Sequence, residues 1–202
     1  MRIISGKFKG KVFNNKLPTG IRPTQDAMRE TIFNILNNHI NFENKIVADV
    51  CAGAGMLGIE AMSRGANFVY FVDKNKKSTE LIQKNLNSIN VENEFYKIVN
   101  LDAVQFINHF SSNEFFYPNG FNKKINLPEN NTTNFLDLIF IDPPYNTNIV
   151  NDILYFFSEN NVLNSDGIII AETALHYQIL LPTGFEILTE RQFGASKVTF
   201  IQ

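Results

Sequence analysis

"KIVADVCAGAGMLGIEAMSRG", residues 45–65, is the stretch on which the fold turns. Lys45 to Val50 is an apolar run of strand length, and Leu57 to Gly65 reads as a helix ended by a glycine. Between them lies Gly53-x-Gly55-x-x-Gly58, a turn whose glycines let the backbone reverse sharply and approach a ligand closely. Strand, glycine turn and helix form the first unit of a parallel sheet covered by helices. Alone, the glycine pattern also fits a tight structural turn, so its surroundings decide.

Downstream, apolar runs and amphipathic runs alternate. "NFVYFVD" (67–73), "EFYKIVN" (94–100), "FLDLIFID" (135–142) and "GIIIAET" (167–173) read as strands. "KKSTELIQKNLNSIN" (76–90), "DAVQFINHF" (102–110) and "NIVNDILYFFSEN" (148–160) read as helices. The last stretch, "FEILTERQFGASKVTFIQ" (185–202), reads as a hairpin around a glycine. This order predicts an α/β architecture with both sheet faces covered. Residues 111–134 are polar, rich in Asn and without period, and are expected to form an irregular insertion.

Upstream, "RIISGKFKGKVF" (2–13) alternates around glycines and predicts a short β-ribbon. "TQDAMRETIFNILNN" (24–38) predicts a helix capped by Thr24, with Met28, Ile32, Ile35 and Leu36 on one face. Two parts are expected: a basic N-terminal extension, 1–40, and a catalytic domain, 41–202, carrying the insertion.

At 202 residues, 44% hydrophobic and 19% charged, the chain can bury one real core. No run approaches the length of a membrane span, and the N-terminus lacks the apolar core of a secretory signal. Cys51, the one cysteine, has no partner for a disulfide within the chain, which points to the cytoplasm. The three histidines are scattered, so no bound metal is expected. The net charge of −2 conceals an asymmetry. From Met1 to Arg22 every charged side chain is basic (Arg2, Lys7, Lys9, Lys11, Lys16, Arg22), and the first acid is Asp26. Such an end can track phosphates, or can simply be a solvated arm.

The acids carry the chemistry. Asp73 ends the second strand about 20 residues beyond Gly53, where a carboxylate can take both hydroxyls of a ribose. Asp102 follows the third strand and is placed to meet an adenine edge, or merely to cap a helix. Asp49, at the lip of the first strand, can receive a cationic amino group. Acids at adjacent strand ends suit a cofactor with a ribose and positive charges better than one with a pyrophosphate. S-adenosylmethionine is therefore expected rather than NAD, held by Asp49, Cys51, Ala52, Gly53, Gly55, Asp73 and Asp102.

"DPPY", Asp142-Pro143-Pro144-Tyr145, ends the fourth strand. The exocyclic amine of a nucleobase is a poor nucleophile, because its lone pair is delocalised into the ring. It attacks only when its N–H bonds are aimed at acceptors. Asp142 offers a carboxylate and Pro143 a carbonyl, with φ restricted by the two prolines. Tyr145 offers a face on which an extruded base can stack, worth ~1–3 kcal/mol. Asp142, Pro143, Pro144 and Tyr145 are thus the expected catalytic turn.

Four stretches together, "RIISGKFKGKVF", "RPTQDAMRETIFNIL", "DVCAGAGMLGIEAMSRGA" and "DLIFIDPPY", resemble the RsmD family over nearly the whole chain. Those proteins are bacterial 16S ribosomal RNA guanine-N2 methyltransferases that use S-adenosylmethionine. The resemblance implies a class I methyltransferase fold, a seven-stranded mostly parallel sheet with an antiparallel last strand, behind a small N-terminal extension. It also implies that Arg2, Lys7, Lys9, Lys11, Arg22 and Arg29 face RNA. The substrate would be 16S rRNA of an assembling or assembled small subunit, and a monomer is expected. Two departures stand out: Cys51 occupies a place where an aromatic residue is common, and the insertion at 111–134 is long for the family. A DNA adenine-N6 methyltransferase shares the glycine turn and the Asp-Pro-Pro-Tyr element. A non-enzymatic RNA-binding module would share the basic end but has no use for the catalytic turn.

Overall fold

In the computed structural model, residues 1–14, 26–111, 136–144, 147–160 and 162–202 are described. Thr24, Arg22 and Tyr145 lie outside these residues, as does the expected insertion beyond Ser111. Helix α1 (Asp26–Leu36) precedes alternating strands and helices: β1 (Ile46–Val50), α2 (Met56–Ser63), β2 (Phe68–Val72), α3 (Lys76–Ser88), β3 (Tyr96–Val99) and α4 (Ala103–Ser111). β4 (Leu136–Ile141), α5 (Ile149–Glu159), β5 (Leu163–Ala174), β6 (Ile187–Phe193) and β7 (Ser196–Ile201) follow.

The strands form one sheet in the order β3-β2-β1-β4-β5-β7-β6. Six run in one direction, and β7 enters antiparallel between β5 and β6. Every residue of β1, β2 and β4 is buried, as expected of strands covered on both faces. Strand alternation divides the core in two. Val47, Phe71, Phe140, Ile170 and Val198 share one cluster with side chains of α1, α2 and α3. Val50, Val72, Ile141 and Ala171 share the other with α4 and α5. The order β2-β1-β4 reverses the winding of the chain at β1 and β4, which opens a crevice at their carboxyl ends.

The N-terminal ribbon is smaller than expected. One antiparallel bridge, Arg2 to Val12, ties its ends, and tight turns fill the space between. What fixes it is α2. Glu60, fully buried, accepts the N–H groups of Ile4 and Ser5 at 2.8 and 2.9 Å, and also Arg64 Nε at 2.9 Å. The Ser63 hydroxyl accepts the Phe8 N–H at 3.0 Å. Ile3 and Phe13 then bury beside α1 in the same core as the sheet.

Arg29 corrects the sequence reading. Expected to face RNA, it is 0% exposed. Its Nη2 donates to the Arg2 carbonyl at 2.5 Å and to Asp26 Oδ1 at 3.0 Å. The reason is periodicity: Arg29, Ile32, Phe33 and Leu36 follow helical spacing, so the guanidinium is carried inward. It fastens α1 to the N-terminal segment.

Candidate active site

A cleft of about 970 Å³ opens at the carboxyl ends of the strands. Asp49, Cys51, Ala52, Gly53, Asp73, Asp102, Asp142, Pro143 and Pro144 all line it. Elements far apart in the chain thus converge as the sequence suggested. The registers explain how. Val50 pairs with both Val72 and Ile141, so Cys51, Asp73 and Asp142 close three neighbouring strands at one level. The Asp142 N–H still reaches the Val50 carbonyl at 3.3 Å, and the Asp73 N–H reaches that of Val99 at 3.1 Å.

The glycine turn is bound to the acids around it. The Gly53 N–H donates to Asp73 Oδ2 at 2.9 Å, while Asp73 Oδ1 accepts the Asn75 N–H at 2.8 Å. Each carboxylate oxygen keeps a further lone pair for a ligand. Gly55 has a φ of 74°, a left-handed value that suits glycine, and serves as the N-cap of α2. Gly58 has a different task from close approach to a ligand: a Cβ there would lie 2.4 Å from Phe71 Cε1. It lets α2 pack against β2.

Asp49 sits deeper than the sequence implied. It is the fourth residue of β1, 2% exposed, and its Oδ2 accepts the Gly58 N–H at 2.8 Å. Burial pushes its carboxyl up to about 7, against the lowering by the Gly58 N–H, with a further rise from Asp73. Asp142 is held well above the usual carboxylate range by burial first, then by Glu172 and Asp49. The Cys51 thiol is pushed up to about 12 by burial and by the three acids around it, which leaves it an unreactive lining group. Asp102 is a helix cap and a cleft residue. Its Oδ1 accepts the Gln105 N–H at 2.9 Å and caps α4, and it also faces the cleft.

The structure adds residues that the sequence left out. Met28 of α1, Glu172 of β5 and the hairpin stretch Gln192–Ser196 complete the wall. Of the charges near the C-terminal end, Glu190 instead pairs with Lys197 at 2.7 Å. Lys7, Lys9 and Lys11 are exposed on the docked N-terminal loop, and Arg2 is exposed beside Asp26 at 3.5 Å. Among the described residues no cluster of His, Cys, Asp and Glu could hold a metal, and no helix is long and apolar enough to cross a membrane.

The donor set fits a nucleoside bearing positive charge: an acid at a strand end beside an open glycine turn, with more carboxylates crowding the same space. On this strand order, that cleft defines a class I S-adenosylmethionine-dependent methyltransferase. A family model described as "Conserved hypothetical protein 95" matches residues 1–117 and 120–202. The chain belongs to that family, the RsmD family that its motifs resemble. "Ribosomal RNA small subunit methyltransferase D" of Haemophilus influenzae is 29% identical over 96% of this chain and 89% of its own length. "Uncharacterized methylase RP545" of Rickettsia prowazekii is 30% identical over 100% of this chain and 97% of its own. The solved structure of HI0767 from Haemophilus influenzae matches with a TM-score of 0.72 at 27% identity, covering 100% of this chain and 97% of that one.

Proposed function

We propose that this chain transfers a methyl group from S-adenosylmethionine to the exocyclic N2 amine of a guanine in 16S ribosomal RNA. The RNA would be met within the small ribosomal subunit or an assembly intermediate, in the cytoplasm, by a monomer. One observation carries the reading: Asp142 and Pro143 line the same cleft as the Gly53 turn and Asp73. The names of the relatives support ribosomal RNA as the substrate. The family resemblance supports guanine N2.

Within the cleft, Asp73 takes the ribose hydroxyls and Asp102 meets the adenine edge. Asp49 receives the cationic amino group, while Cys51, Ala52 and Gly53 shape the passage beside it and Gly55, which does not line the cleft, sets the turn into α2. The cofactor, when bound, supplies a methyl group on a positively charged sulfur. Asp142 and the Pro143 carbonyl accept the N–H bonds of the amine and aim its lone pair at that methyl. Tyr145 stacks on the extruded base. Asp142 need not be a strong base beforehand, because the amine proton becomes acidic only as the C–N bond forms. Positive charge in the cleft favours its ionised form, opposing the effect of burial and neighbouring acids. Residues 1–40 act as the RNA-facing extension, through Arg2, Lys7, Lys9, Lys11 and Arg22, and 41–202 carry the chemistry.

The test uses small subunits from cells lacking the enzyme. Purified protein and isotopically labelled S-adenosylmethionine should yield labelled N2-methylguanosine from 16S RNA after nucleoside digestion. Label in N6-methyladenosine, or none, overturns the reading. Asp142→Ala should abolish transfer while leaving cofactor affinity nearly unchanged.

A further inference from the structure

We infer that Glu172 is the residue that tells guanine from other bases, its carboxylate accepting the N1–H while Asp142 and the Pro143 carbonyl hold the N2 amine. This rests on the function proposed above and assigns a task to a side chain that neither the motifs nor the family elements singled out.

Register places the two acids together. Ile141 of β4 pairs with Ala171 of β5, so the residues that follow, Asp142 just past the end of β4 and Glu172 within β5, are brought to the same level of the sheet. Neighbouring strands lie about 4.8 Å apart, near enough for two side chains to converge on one base edge. Alternation sets the direction. Phe140 and Ile170, two residues earlier on each strand, both join the core beneath α1, α2 and α3. Asp142 and Glu172 continue that face, and both line the cleft. β5 is an interior strand, held by β4 on one side and by Val198 of β7 opposite Glu172 on the other. Glu172 is therefore set within the sheet, and Asp142 lies directly past β4 with its N–H still bonded to the Val50 carbonyl at 3.3 Å.

The chemistry of the base edge then decides. On its Watson–Crick edge guanine presents N1–H and the N2 amine as adjacent donors, which match two adjacent carboxylates. Adenine presents an amine beside N1, whose lone pair would face the second carboxylate and be repelled. Asp-Pro-Pro alone cannot discriminate, since any exocyclic amine satisfies it. Two close carboxylates raise each other's cost of ionisation, and a base with two adjacent donors relieves both at once. A base lacking the second donor leaves one acid uncompensated.

The test compares guanine with 2-aminopurine, which keeps the amine but has an unprotonated N1. Each is placed by RNA ligation at the modified nucleotide, located by mass spectrometry of ribonuclease fragments, in reconstituted small subunits. Wild-type protein should favour guanine in kcat/KM by roughly 10- to 100-fold, the worth of one good base contact. Glu172→Gln, whose amide can donate to N1, should lose most of that preference or reverse it. Glu172→Asp should lower transfer to guanine yet keep the preference, which guards against a Gln variant that folds poorly. Calorimetric titration with S-adenosylhomocysteine should give wild-type affinity for both. If wild-type protein methylates guanine but Glu172→Gln keeps its preference, Glu172 does not read the base. If wild-type protein methylates no guanine, the function itself is wrong.

Discussion

The backbone N–H of Gly53 donates to Asp73 Oδ2 at 2.9 Å, fastening the glycine turn after β1 to the acid that ends β2. One carboxylate thus shapes the turn and remains available to a ligand. Asp73→Ala should weaken S-adenosylhomocysteine binding roughly 10- to 100-fold, since hydrogen bonds to a charged group contribute ~1.5–3 kcal/mol. Asp73→Asn, which retains an acceptor for Gly53, should lose less. Unchanged calorimetric affinity in Asp73→Ala would place the ribose elsewhere.

Asp49 makes stability depend on pH. Its carboxyl titrates near 3.8 when unfolded and is pushed up to about 7 when folded. Between these values the native state holds the extra proton, so the Asp49 contribution to stability is fully present below pH 4 and is lost as pH rises towards 7. The contribution is on the order of 4 kcal/mol, at 1.36 kcal/mol per pH unit. Asp49→Asn should flatten most of that fall in urea unfolding between pH 5 and 8. Cofactor affinity should move the other way and strengthen through pH 7, because a bound cation favours the ionised acid. A pH-independent affinity would remove Asp49 from the cation's surroundings.

Glu60, fully buried, holds the N-terminal segment through two backbone donors and also accepts from Arg64. Glu60→Ala strands the Arg64 charge and two backbone N–H groups, at a cost of about 3–5 kcal/mol. The midpoint of urea unfolding should fall accordingly, and limited proteolysis should cut first within residues 1–14. Wild-type proteolysis would mean that the hydrophobic anchors Ile3 and Phe13 suffice.

Replacing Lys7, Lys9 and Lys11 by Gln should weaken RNA binding without altering stability, because all three are exposed. The salt dependence should flatten by about 0.7–0.9 in log–log slope for each phosphate no longer neutralised. An unaltered slope assigns the RNA to another face of the protein.

The sheet was legible because its strands are apolar runs of the right length, separated by helices with clear spacing; β1, β2 and β4 needed no tertiary knowledge. Asp73 and Asp142 were legible because each sits where a strand stops. Glu172 was not. Its significance comes from β5 lying beside β4 in register, and neighbour order is not written in local pattern. Met28 and the Gln192–Ser196 stretch were missed for the same reason. Arg29 is a different failure. Its spacing to Ile32, Phe33 and Leu36 marks it as inward-facing, whereas an RNA-facing role was implied by the family resemblance alone.

Because β7 lies between β5 and β6, the hairpin cannot simply be added strand by strand to the growing sheet edge. β6 pairs with β7 alone, so the hairpin joins the sheet only through the pairing of β7 with β5. The part of the cleft wall formed by Gln192–Ser196 therefore depends on that one junction, whereas the glycine turn and its acids do not. A refolding chain should gain the ability to bind the adenosine moiety before it gains the ability to enclose a base, and two probes of recovery, one for each event, should separate in time.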